Sequence, residues 1–232
     1  MKDREIDDIL QQVAGAQPEP DSVLLEGISS AIGSNLQPAG SLPPSWMLAL
    51  GLFLICGTVA LAGGLFFGLY GVRKMTAAEV GLIFPVLGIL IWFAAALCVA
   101  EAIPGSRRPV TPWLLGVSGC VGLATVFGWL FHDYGTARFV SQGVKCLTAG
   151  LGLALPAAVA MWLVLRRGFS VNPGVAGFAK GTLAGLAGVT MLELHCVNFE
   201  VPHLLVWHIA VLPISGAIGM WVATIVKSRG QR

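Results

Sequence analysis

Charge is what this sequence has least of. Asp, Glu, Lys and Arg make up 11% of its 232 residues, where a soluble domain carries about 25%. Hydrophobic residues make up 56% and the mean hydropathy is +0.80, a balance that places the chain among membrane proteins. Chemistry-bearing patterns are scarce too. The sequence has no HExxH, no Ser/His/Asp order, no paired membrane carboxylates and no glycine-rich phosphate loop, so no enzyme activity is expected. No Asp, Glu, Arg or His stands near the middle of an apolar run, which argues against ion-coupled transport and proton relay. The first such run begins only at Trp46, too late for a secretory signal, so the polar tail before it is expected to stay uncleaved in the cytoplasm.

What the chain has instead is a series of apolar runs. A membrane-spanning helix needs about 20 apolar residues, and six runs qualify, at about 46–70, 77–100, 112–131, 143–165, 174–194 and 204–226. The expected fold is an all-α membrane protein, a six-transmembrane-helix bundle. The fifth run carries Lys180 near one end, where it can snorkel. Gly177, Gly181 and Gly185 repeat every four residues in that run, so one face is open to close approach by a neighbour. Pro85, Pro156 and Pro213 fall inside runs two, four and six, where kinks are expected.

The tail has its own character. Seven of the twelve acids lie in residues 1–45 against two of the fourteen bases, leaving the tail at net −5 and the remainder at +7. That sign does not suit nucleic acid or anionic lipid, and it matches a basic protein surface. In "DREIDDILQQVA" the residues Ile6, Ile9, Leu10 and Val13 share one helical face. "DSVLLEGISSAIGSNL" puts Leu25, Ile28 and Ile32 on a second stripe, and the proline-rich "QPAGSLPPS" then reads as a linker. The tail is expected to form one or two short amphipathic helices that order on a partner. The division is then a tail and linker over 1–45, a membrane domain over 46–227 and a short end over 228–232.

Orientation follows from Lys and Arg in the connections. With the tail inside, Arg107, Arg108, Arg166, Arg167, Lys227, Arg229 and Arg232 lie inside, against Arg73, Lys74, Arg138 and Lys145 outside. Both termini are therefore expected in the cytoplasm.

On that topology all four histidines, His132, His195, His203 and His208, fall on the outer face with Cys146 and Cys196. The other cysteines, Cys56, Cys98 and Cys120, sit within apolar runs as small hydrophobes. Cys146 and Cys196, 50 residues apart, share one membrane level. They can be inert thiols, a disulfide, or ligands with His195, His203 or His208 for zinc, cadmium or copper. The trio Cys146, Cys196 and His195 is the first candidate ligand set. His203 and His208, five apart, stand about 140° apart on an α-helix, which separates their rings.

These pieces together resemble the NrsF family, membrane-bound negative regulators of sigma F and anti-sigma factors of extracytoplasmic-function sigma factors. They are the acidic tail, six runs, Cys146 opening the fourth, Arg166–Arg167–Gly168 after it, Pro173, Gly177, Gly181, and Leu194–His195–Cys196 through Trp207–His208. The chain departs from the family pattern at Val197, where that pattern has proline. The resemblance implies an inner-membrane stress sensor whose tail captures a sigma factor and whose Cys146 and Cys196 take part in sensing. Sigma factor and membrane lipid are the partners it implies, and a homodimer is compatible with it. A small transporter or channel and a haem-binding membrane protein using His195, His203 or His208 are the competing readings.

The charge bias sets a first prediction. A reporter fused after Arg232 is expected to be active only in its cytoplasm-dependent form; activity of the externally folding form would reverse the orientation.

Overall fold

The computed structural model of the protein describes residues 22–35, 43–103, 106, 110–165, 170 and 172–230. Two compact units divide the chain after Leu42. In the first, helix α1 (Ser22–Asn35) carries Leu25 and Ile28, both exposed, and Ile32 lies in its last turn. Ile6, Ile9, Leu10 and Val13, most of the linker, and the basic pairs Arg107–Arg108 and Arg166–Arg167 lie outside the described residues.

The second unit is the expected all-α membrane bundle. Among the described residues six helical stretches are long and apolar enough to cross a membrane. They are α2 (Ser45–Phe67), α4 (Ala77–Ala102), α5 (Pro112–Leu130), α6 (Phe139–Leu165), α7 (Pro173–His195) and a sixth over Val201–Val226. The first ends earlier than hydropathy suggests. Gly68 adopts φ 101°, a left-handed conformation that glycine takes without steric cost, and the chain turns into the short α3 (Tyr70–Lys74). A reciprocal cap then starts α4: Thr76 Oγ1 accepts from the Glu79 N–H, and Glu79 Oε2 accepts from the Thr76 N–H at 2.6 Å. Helix α6 begins a turn before the expected start, taking in Ser141 and Gln142.

The connections after α2, α5 and α7 meet at one end of the bundle. The Val201 N–H donates to Asp133 O at 2.6 Å. Phe131 stacks on Phe199 with ring centroids 5.2 Å apart. A methyl group on Gly71 would strike the backbone of Glu193 and Cys196, so α3 rests directly on the end of α7.

Helix α7 is the core of the bundle. Within its most apolar stretch 83% of the residues are buried, against 22–44% for the other five. Its glycines account for this. A Cβ on Gly177 or Gly181 would overlap the backbone of Gly219 or Ser215, and one on Gly188 would overlap the Gly150 carbonyl of α6. Small residues on both sides bring backbones into contact, the packing that substitutes for a hydrophobic driving force inside lipid. The rings of Pro85, Pro156 and Pro213 all face outward from the bundle.

The sixth span is not a single α-helix. Val201–His203 (α8) runs through a π turn, Leu204–His208, before α9 (Ile209–Gly230) continues. The Ile209 N–H reaches back to Leu204 O, five residues away. Pro213, one turn on, has no N–H to offer the Ile209 carbonyl, so regular α geometry is already interrupted there. Isolated π turns of this kind concentrate at functional sites.

The glycine seam yields a stability prediction. Gly181→Ala is expected to cost about 1–3 kcal/mol, since the Ser215 backbone cannot retreat. Gly57→Ala, with nothing within 4 Å of the added methyl, should change stability by less than about 0.5 kcal/mol. Denaturant titration of the detergent-solubilised protein compares them; equal effects would mean the seam is not tight.

Candidate functional site

The loop end of the bundle gathers two thiols and two imidazoles. One ligating atom each from Cys146, Cys196, His203 and His208 lies within 4.8 Å of the other three. The sulfurs of Cys146 and Cys196 are free thiols 3.5 Å apart, and Cys196 Sγ lies 3.6 Å from His203 Nε2.

Each member owes its place to a local feature. Cys146 sits on α6 between Gly143 and Gly150, both buried at contacts too close for a side chain. The Trp207 indole occupies the space a Gly143 side chain would fill, and Leu192 and Val211 press on Gly150. That brings α6 against α7 and the π turn. Cys196 follows the last residue of α7, its N–H bonded to Leu192 O at 2.7 Å. The loop beyond is held by Asn198, which donates to Gln142 Oε1 at 2.8 Å and accepts from the Glu200 N–H at 2.9 Å. The π turn, Leu204–His208, winds the chain from His203 to His208, and their rings meet edge to face at 5.2 Å. α-Helical spacing separates those two rings; the extra residue in the turn reunites them.

His195 is not part of the cluster. It ends α7, and its Nδ1 lies 3.0 Å from Gly68 O, with its ring against Phe67 and Tyr70. It braces the turn after α2. The trio of Cys146, Cys196 and His195 is therefore not the set the fold assembles; His203 and His208 stand where His195 was expected. His132 is exposed and outside the group.

One member escaped the sequence reading. Glu193, on the last turn of α7, is fully buried, and its Oε1 lies 2.6 Å from His208 Nδ1. The signal was available, since an acid within a membrane run is a functional candidate by default, but Glu193 stands near the run's end rather than its middle.

The cluster is short of partners. Glu193 Oε2, His203 Nδ1 and His208 Nε2 are buried and have no hydrogen-bond partner within the protein. The adjoining Cys146 thiol, together with burial, holds the Cys196 thiol above its ordinary range. A shallow depression of about 240 Å³ beside the cluster is lined in part by Cys146, Cys196, Tyr70, Lys145 and His195.

The donor set suits a soft or borderline cation. Metal–sulfur arms of about 2.3 Å and metal–nitrogen arms of about 2.0 Å in a tetrahedron imply edges of about 3.8 Å between sulfurs and about 3.5 Å between sulfur and nitrogen. The observed 3.5 and 3.6 Å lie close to these. The same sulfurs need approach by only about 1.5 Å to reach disulfide length.

The family model for NrsF, negative regulator of sigma F, matches residues 33–226. No curated protein and no solved structure matches the chain.

The thiol geometry gives a direct prediction. Diamide is expected to remove two of the five alkylatable thiols in denatured protein, with a mass loss of two hydrogens, and to remove none in Cys146→Ser. Peptide mapping should find the bond between Cys146 and Cys196; a bond involving Cys120 instead would contradict the placement of α6.

Proposed function

The chain belongs to the NrsF family of negative regulators of sigma F, and on that premise we propose that it is an inner-membrane anti-sigma factor gated from the periplasmic side. Residues 1–45 hold an extracytoplasmic-function sigma factor, residues 46–227 form the sensor, and both chain ends lie in the cytoplasm. The observation that carries this reading is the group of half-buried Cys146 with buried Cys196, His203, His208 and Glu193, which holds three unpartnered polar atoms. Each such atom costs about 1–3 kcal/mol. A membrane domain that only anchored a tail would have no use for them, whereas a sensor needs a place that changes state.

Two events suit the site. A zinc, cadmium or copper ion held by the two thiolates and the Nε2 atoms of His203 and His208 would neutralise the thiolates and give the unpartnered His208 Nε2 a partner. Alternatively, oxidation joins the two sulfurs. Both draw Cys146 of α6 toward the end of α7 and the π turn. Helix α6 leads at its other end to Arg166–Arg167, and α7 begins soon after, so this pair can carry a shift to the cytoplasmic side. A few kcal/mol at the site is the size needed to invert a two-state equilibrium.

At the tail, the stripe of Ile6, Ile9, Leu10 and Val13, supported by Leu25, Ile28 and Ile32, supplies apolar contact. The surrounding acids match a basic sigma surface and speed encounter. The transporter reading has less support, because the group of Cys146, Cys196, His203 and His208 gathers at one end of the bundle rather than along a path through it. The haem reading has less support as well, because His203 and His208 face the thiols rather than each other across a gap.

Ile9→Asp with Leu10→Asp is expected to weaken sigma binding by roughly 100-fold or more, from about 1.5–3 kcal/mol for each apolar side chain. Sigma-dependent transcription should then be constitutively high. Cys146→Ser, Cys196→Ser and the double change are expected to alter inducible release equally. A reporter for the sigma regulon together with tail pull-down reads both; retention of sigma by the Asp variant sinks the docking surface, and additive cysteine effects sink the shared site.

A further inference from the structure

Glu193 belongs to the group above, yet the two events proposed there give it no task of its own. It contributes nothing to the thiol–imidazole group directly, yet it is fully buried in a membrane helix with one carboxylate oxygen on His208 and the other unpartnered. We infer that Glu193 is a positioning residue that makes His208 a ligand, giving the cluster the form that takes a d10 cation of zinc type.

The chemistry runs through the two ring nitrogens. An ionised carboxylate only accepts hydrogen bonds. At 2.6 Å from Glu193 Oε1, His208 Nδ1 is placed to give its hydrogen to the carboxylate, and a cation that takes the place of any Nε2 proton meets the ring's other lone pair there. That atom has no hydrogen-bond partner, and it lies within 4.8 Å of the ligating atoms of Cys146, Cys196 and His203. Without the carboxylate the ring can protonate at Nε2 instead, which turns an N–H toward the thiols and abolishes the ligand. The carboxylate also raises the donor strength of the imidazole and restricts its rotation, as outer carboxylates do for metal-bound histidines generally.

His203 lacks such a partner, since its Nδ1 is buried and unpartnered. The two imidazoles are thus unequal. His208 is held in ligand form in advance, and His203 is the one free to adjust. The charges agree as well. A divalent cation with two thiolates and two neutral imidazoles is neutral, and Glu193 adds one negative charge beside it. That favours a dication over an anionic ligand at the same place.

This inference rests on the cation-holding form of the reading above, and the experiment separates the two. Full-length protein in detergent is titrated with cobalt(II), whose thiolate charge-transfer band reports sulfur ligation, and zinc is used as competitor. The wild type should bind one cobalt with that band. Glu193→Gln should bind about 10- to 100-fold more weakly with the band at the same energy, because all four ligands remain. His208→Ala should shift the cobalt spectrum, and Glu193→Gln combined with His208→Ala should bind as His208→Ala does within about twofold. Wild-type protein labelled with nitrogen-15 in histidine reads the His208 tautomer without any substitution, and Nδ1–H is expected. A wild type without the band overturns the cation site and this inference together. Glu193→Gln binding within twofold of wild type, an additive loss in the double variant, or an Nε2–H tautomer overturns the role of Glu193 alone and leaves the cation site standing.

Discussion

Backbone touches backbone along α7, and the rest of the molecule is arranged around that contact. Gly177 and Gly181 lie on the carbonyls of Gly219 and Ser215, and Gly188 lies on that of Gly150. In lipid there is no gain from merely hiding apolar side chains, so helices associate through van der Waals contact and the removal of bulk. A helix with small residues on several faces therefore becomes the centre to which others attach. Helices α6 and α9 both meet it, and the site lies where their loop-side ends converge with its own. Cys146, Glu193, Cys196 and His208 come from three different stretches of chain, and only this close approach sets them within bonding range of each other.

Much of this was legible in the sequence, for identifiable reasons. Six spans are expressed in the length and apolarity of the runs, a property local to each run. The four-residue spacing of Gly177, Gly181 and Gly185 marked one face of α7 as a close contact, because periodicity survives without knowledge of the partner. The partner itself was not legible: nothing in the sequence says that Gly181 meets Ser215. The site was half visible. Cys146 and Cys196 stood out by rarity and membrane level. Histidine membership followed a rule of α-helical spacing that the chain breaks, so His195 was favoured and the His203–His208 pair discounted. Glu193 was overlooked because its importance lies in a contact 15 residues away across a turn, where helical periodicity carries no information.

The site combines two kinds of constraint. The thiols stand at ends of long helices whose separation is set by packing far from them. The imidazoles stand in one short, irregular stretch whose geometry is set locally. A ligand or bond that joins the two sulfurs acts between helices, while one that also engages His203 and His208 acts on the start of the sixth span. A metal and an oxidant would therefore pull on different parts of the bundle from one shared place.

The π turn has a consequence for everything that follows it. An α-helix advances about 100° per residue, so fitting one additional residue into a turn rotates the entire downstream helix by about that angle relative to an unbroken one. The face of α9 that bears Ser215, Gly216 and Gly219 is in phase with the α7 seam only while Leu204–His208 keeps its wide turn. Relaxing that turn to α geometry would swing bulky residues such as Ile218 and Val222, now exposed, toward a seam that admits only backbone. The histidines at one end of the span and the glycine contacts at the other are, in this sense, teeth on the same gear.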